Sequence, residues 1–182
     1  LDAPLTRENW NARYFEGARP NRGILVCDPT AHPSVFSLYP GRICVSGAPF
    51  ANLRWVEEIT GSKGEIAHGG SVSTNAYDFA KRLGVRNVIM VGQDLAFTRG
   101  LAHARGSYLD EQIYLRRNRF SSEHDFNRRQ MTALPKVWVD AIGGGTVHTN
   151  QKMIIFMEWF QKRNDPALWN ASAGGALLKG MQ

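Results

Sequence analysis

The stretch EIAHGGSVSTNAYDFAKRLGVRNVIMVGQDLAF, residues 65–97, decides the fold. A short strand-like run over 65–68 meets Gly69-Gly70-Ser71, after which Val72, Ala76, Phe79, Ala80 and Leu83 recur at spacings that place them on one helix face. Gly84 stands where a left-handed cap ends such a helix. Val85 to Val91 is almost continuously apolar, the pattern of a strand covered on both faces, as strands of parallel sheets are. Strand, glycine turn, helix and strand in that order make a βαβ unit with a right-handed crossover.

Working outward, Gly23 to Cys27 and Arg42 to Val45 are further short apolar runs of strand type, and helical patterns cover 7–16, 33–39 and 52–59. Lys136 to Ala141 reads as a strand and Gly143-Gly144-Gly145 as a turn. Met153, Phe156, Met157 and Phe160 line an amphipathic helix begun by Thr149 or Asn150. The polar residues 98–135 are expected to be irregular, with 107–135 an arginine-rich insertion. Strands alternating with helices predict an α/β protein, a Rossmann-like three-layer, doubly wound and mostly parallel sheet, as a single domain over 1–182.

Composition bounds the function. With 43% hydrophobic and 21% charged residues the chain has a globular balance, and no run approaches the roughly 20 apolar residues that span a bilayer. Cys27 and Cys44 lie in apolar runs without metal-ligand spacing, which predicts reduced core thiols and a cytoplasmic setting. The net charge of +6 is uneven, with Arg116, Arg117, Arg119, Arg128 and Arg129 close together. That cluster is either a solvated basic loop or a surface for an anion. No helix-turn-helix, zinc-finger or RNA-binding pattern accompanies it, so nucleic acid is not expected.

Chemistry concentrates at strand ends. Free amides and the positive end of the dipole attract anions at a helix N-terminus, and glycines let a phosphate approach the backbone. Gly69, Gly70, Ser71, Ser73 and Thr74 have that form, although a Ser-capped strand-to-helix turn uses the same residues. Gly92, Gln93 and Asp94 end the next strand, where Gln93 can read a base or sugar hydroxyl and Asp94 can take a proton or a metal-phosphate, or each can brace the turn. His32, His103 and His148 also fall in loops or at strand ends, with His103 and His148 the candidate bases.

Three blocks carry a family resemblance: CDPTAHPSVFSLYPGRICVSGAPF (27–50), GGSVSTNAYDFAKRLGVRNVIMVGQDLAFTRGLAHARG (69–106) and NASAGGALLKG (170–180). They resemble the central domain of bacterial motility accessory factor proteins, grouped with archaeal 6-hydroxymethyl-dihydropterin pyrophosphokinase-like proteins. The middle block is also similar to bacterial sialyltransferases that use a CMP-sugar. These resemblances imply a nucleotide-dependent transferase, with Gly69, Gly70 and Ser71 on the nucleotide phosphate and Gly92 to Asp94 at the sugar or metal edge. One implied reaction moves a nonulosonic acid from a CMP donor to a flagellin Ser or Thr. The other is ATP-dependent pyrophosphoryl transfer to a hydroxymethyl-pterin, with Asp94 on Mg²⁺, and a non-catalytic nucleotide-binding module is a third. The sialyltransferases imply a histidine base ahead of the last helix; Thr146 holds the matching place, His148 stands nearby and His103 is the rival. The resemblance further implies that the opening strand and its nucleotide loop are not part of this chain.

Overall fold

The computed structural model describes residues 23–181, and the helical pattern over 7–16 lies outside them. The chain forms two compact units, Leu1–Gly84 and Val85–Gln182. Both mix helix and strand.

In the first unit, β1 (Ile24–Cys27) pairs in parallel with β2 (Arg42–Val45), in register from Ile24 opposite Arg42 to Cys27 opposite Val45. The crossover contains α1 (Pro33–Leu38), whose start suits its sequence. Pro33 has no N–H to leave unpaired, and the His32 ring accepts a hydrogen bond from the Ser34 amide at 3.2 Å. Val35 of α1 is fully buried. Along β2 the side chains alternate, which turns Cys44 outward while Cys27 of β1 is half-buried. Both thiols are free as expected, but neither is a core residue.

After β2 comes α2 (Ala51–Thr60), which buries none of its side chains. The strand expected over 65–68 reduces to one bridge, Glu65 to Gly47. α3 (Val72–Arg82) follows, with Gly84 at φ +81 beyond it as the left-handed cap. Its buried residues are Thr74 and Tyr77, while Ala76 and Leu83 of the expected apolar stripe are exposed. Polar anchors decide which face turns inward. Asp78 accepts from the Ala67 amide at 2.8 Å and Thr74 from the Gly69 amide at 3.0 Å, tying that side of α3 to the incoming chain.

In the second unit β3 (Val88–Met90) pairs in parallel with β6 (Leu168–Asn170). β4 (Lys136–Asp140) and β5 (Thr146–Asn150) form an antiparallel hairpin closed by Gly143, Gly144 and Gly145, all at positive φ. The described strands thus make three two-stranded sheets, two of them parallel. β3 is shorter than the apolar run that contains it, and Ile89 is 66% and Val91 79% exposed. Burial on both faces does not occur there, because β3 has β6 alone as a strand partner among the described residues.

The arginine-rich stretch is helical, not irregular: α4 (Tyr108–Arg116) and α5 (Glu123–Thr132) lie within it. Ser107 and Ser122 cap them, and Ser122 with Asp125 completes a reciprocal capping box. α6 (Gln151–Gln161) is begun by Asn150, whose side chain accepts from the Met153 amide at 3.0 Å. α6 buries Phe156, Met157 and Phe160, and Met157 packs with Ala176 and Leu178 under Met90, Leu95, Val139, Val147 and Ile154. No helix among the described residues is long and apolar enough to cross a membrane.

Candidate functional site

The glycine turn of the first unit is a small polar knot. Gly70 sits at φ +86, a left-handed backbone that lets the chain reverse into α3 and that a β-branched residue resists. The Ser71 side chain accepts from the Ser73 amide at 3.4 Å and shares a hydrogen bond with the Ser73 hydroxyl at 2.9 Å. The buried Thr74 hydroxyl accepts from Gly69 N–H and donates to the Ser71 carbonyl. Gly69 and Thr74 therefore satisfy one another. Among the described residues, the amides of Gly70, Ser71 and Val72 make no hydrogen bond. They lie at the head of α3, where orphan N–H groups and the helix dipole present partial positive charge. Just upstream, the His68 ring packs edge-on against Phe50 with centroids 6.2 Å apart, and its buried Nε2 has no hydrogen-bond partner among the described residues. Nothing in the sequence pattern marks that atom.

Gly92, Gln93 and Asp94 belong to the second unit, where later segments hold their loop in place. Gln93 N–H donates to the buried Ser172 hydroxyl at 2.8 Å, the Asp94 carbonyl accepts from Ala176 at 2.7 Å, and the Leu95 carbonyl accepts from the buried Thr149 hydroxyl at 2.8 Å. Gly175 is at φ +102, and any Cβ there would overlap the Asp94 backbone. Leu95 is itself left-handed at φ +46, a strained setting for a non-glycine residue. The Asp94 backbone is thus fixed on both sides. Its carboxylate makes no hydrogen bond or ion pair among the described residues.

His148 lies beside the Asp94 loop, its carbonyl accepting from Phe97 N–H at 2.8 Å. Its ring stands 5.1 Å from Phe97 and 5.7 Å from Trp138, and its buried Nε2 has no hydrogen-bond partner among the described residues. Burial first, and then the charge of Lys136, push its pKa below the ordinary imidazole value, so the neutral ring is favoured. A neutral imidazole can accept a proton. His103 lies beyond the 3₁₀ turn Thr98–Gly100, next to Ala102, whose amide donates to the buried Asn127 side chain at 2.9 Å.

The candidates therefore fall into two groups: Gly69, Gly70, Ser71, Ser73 and Thr74 in the first unit, and Gly92, Gln93, Asp94, His103 and His148 in the second. Ser172, Thr149 and Gly175 were not legible as site residues, because their role is to hold a loop distant in sequence. No group of three or more His, Cys, Asp or Glu residues among the described residues is arranged to hold a metal ion. Asp94 alone could serve Mg²⁺, which commonly takes one or two carboxylates and completes its shell with water and substrate phosphates.

A family model described as 6-hydroxymethylpterin diphosphokinase MptE-like matches residues 5–100, a span that includes the glycine turn and Asp94. An uncharacterized protein of Treponema pallidum (strain Nichols) is 27% identical over 139 residues, covering 69% of this chain and 35% of the relative. The chain thus spans about a third of that relative's length. No solved structure matches.

Proposed function

Because the chain belongs to the 6-hydroxymethylpterin diphosphokinase MptE-like family, we propose that it is a nucleotide-dependent transferase whose donor phosphate docks on the glycine turn before α3. The observation that supports this is the set of amides at Gly70, Ser71 and Val72, which make no hydrogen bond among the described residues and lie inside the matched span. Those donors are already oriented, so negative charge developing on a departing phosphate meets them without reorganisation. The Ser71 and Ser73 hydroxyls add donors to the same turn. Within the second unit, the neutral ring of His148 can accept a proton, with His103 the rival base, and by the resemblance the Asp94 carboxylate stands at a sugar or metal edge. The Rossmann-like, doubly wound sheet and the single domain expected from the sequence belong to this proposal.

The finer reading is transfer of a nonulosonic, sialic-like acid from a CMP donor to Ser or Thr of flagellin, by the resemblance of the three sequence blocks. The second reading is pyrophosphoryl transfer from ATP to 6-hydroxymethyl-dihydropterin, which the family's description favours. In that reading Asp94 would be the carboxylate that serves Mg²⁺.

Titration with CMP, a CMP-sugar and ATP, each with and without Mg²⁺, separates the readings. Metal-independent cytidine binding supports glycosyl transfer, and Mg²⁺-dependent ATP binding supports the kinase-type reaction. Binding of one with no turnover of any acceptor leaves a nucleotide-binding module. Gly70→Val should abolish nucleotide binding, and unchanged affinity would remove the glycine turn from the site. Asp94→Asn should lose turnover with an unchanged melting temperature, since the Asp94 carboxylate braces nothing among the described residues.

A further inference from the structure

The arginine-rich stretch, which the proposed function leaves unused, builds a cleft of its own. Arg99, Arg117, Asn118, Arg119, Glu123 and His124 help line an open cleft of about 710 Å³ within the second unit and mostly beyond the family match. Its size is that of a small-ligand site. Among the described residues, none of Arg99, Arg117 and Arg119 has a carboxylate partner. The nearby acids do not cancel them. Asp125 is committed to the α5 cap, accepting from the Ser122 amide at 3.1 Å and hydroxyl at 2.7 Å, and to Arg128 at 3.6 Å. That leaves Glu123 as the acidic residue in the lining, against three guanidinium groups.

The arginines are also held. The Arg117 guanidinium lies 3.6 Å from the centre of the Tyr114 ring, and that of Arg119 lies 4.9 Å from the centre of the Phe120 ring. An arginine stacked on an aromatic face keeps its in-plane N–H donors available and loses less freedom when an anion arrives. Between them, Asn118 and Ser121 exchange backbone hydrogen bonds at 3.0 and 3.2 Å, and the Asn118 side chain accepts from Phe120 N–H at 2.9 Å, which fixes the turn carrying both. Arg99 comes from the 3₁₀ turn Thr98–Gly100 at φ +54, left-handed and strained for an arginine. Glycine would be favoured there on backbone grounds alone.

We propose that this cleft is a second anion site, which binds a phosphate-bearing small molecule through Arg99, Arg117 and Arg119, with Ser122, Asn118 and His124 as neighbouring polar groups. Planar guanidinium forks favour phosphate oxygens, which accept two parallel N–H bonds from each. The site is independent of the nucleotide reading above, because it uses none of the residues assigned there.

Calorimetric titration of the 182-residue chain with inorganic pyrophosphate, at fixed ionic strength, tests it. A saturable site that persists in the Gly70→Val variant is expected. Arg99→Gly removes a guanidinium while relieving the left-handed backbone, and should weaken binding about tenfold without lowering the melting temperature. Arg117→Ala with Arg119→Ala should weaken it more, and the double Lys variant should recover part of the loss by restoring charge without the planar fork. Gly70→Val should leave this binding in place, which separates the cleft from the glycine turn. Undiminished affinity in the arginine variants, loss in Gly70→Val alone, or citrate binding as tight as pyrophosphate would each overturn the proposal.

Discussion

His148 shows how a single side chain couples the fold to pH. Burial and Lys136 hold its pKa below the value near 6.5 that an unfolded chain has. Between those two values the unfolded chain binds the proton more readily, so stability is full above the ordinary imidazole value and falls as the pH drops through the window beneath it. Urea midpoints at about pH 7.5 and about pH 5.5 should therefore differ more for the native sequence than for His148→Phe. Equal differences would mean that protonation of His148 is not felt by the fold. The two thiols give a second residue-level contrast. Cys44 is exposed, whereas burial, then Asp28 and then Cys44 push the Cys27 thiol pKa up. A thiol reagent at mildly alkaline pH should modify Cys44 well before Cys27, as peptide mapping after timed quenching would reveal.

At the scale of the element, helix ends decide what the sequence reveals. A helix start at Thr149 or Asn150 was legible, and the bond from the Met153 amide to the Asn150 side chain gives the role to Asn150. Asn150→Ala should cost about 1 kcal/mol and Asn150→Ser much less, measured by denaturant unfolding. Thr74→Val tests a different kind of anchor, since it would strand the Gly69 amide and turn a buried hydroxyl into a methyl. A loss of about 1–3 kcal/mol is expected, with α3 loosened from the turn before it. The helices α4 and α5 show why charge-rich segments mislead. Their side chains give little apolar periodicity, so they looked irregular, while the Ser107-to-Asp110 and Ser122-to-Asp125 spacings carried the helix signal instead. β5 escaped notice for another reason. Thr146 to Asn150 mixes β-branched and polar residues, and its end is also the cap of α6.

Over the whole molecule, local signals were legible and long-range ones were not. β1, α1, β2, α2, α3 and α6 lie close to where periodicity, prolines and glycines put them, and the mixed helix-and-strand class follows from their order. Pairing was harder, because whether an apolar run such as 85–91 is covered on one face or two depends on partners that local sequence does not specify. The same holds for the candidate site. The glycine turn could be read from neighbouring residues, whereas the Asp94 loop depends on Thr149, Ser172 and Gly175. Charge is a property the sequence does give globally. With a pI near 9.6, solubility at low salt should pass through a minimum near that pH, and turbidity across a pH series would detect it.

The tie between Gln93 and Ser172 joins residues 79 positions apart. During synthesis, the polypeptide around Asp94 leaves the ribosome long before the residues that fix its shape exist. Until segment 170–178 has been translated and has docked, a nascent chain could present α3 and its glycine turn but not the finished Asp94 loop. Any activity that needs the Asp94 carboxylate in position would then switch on late, as a property of the completed segment rather than of the emerging one.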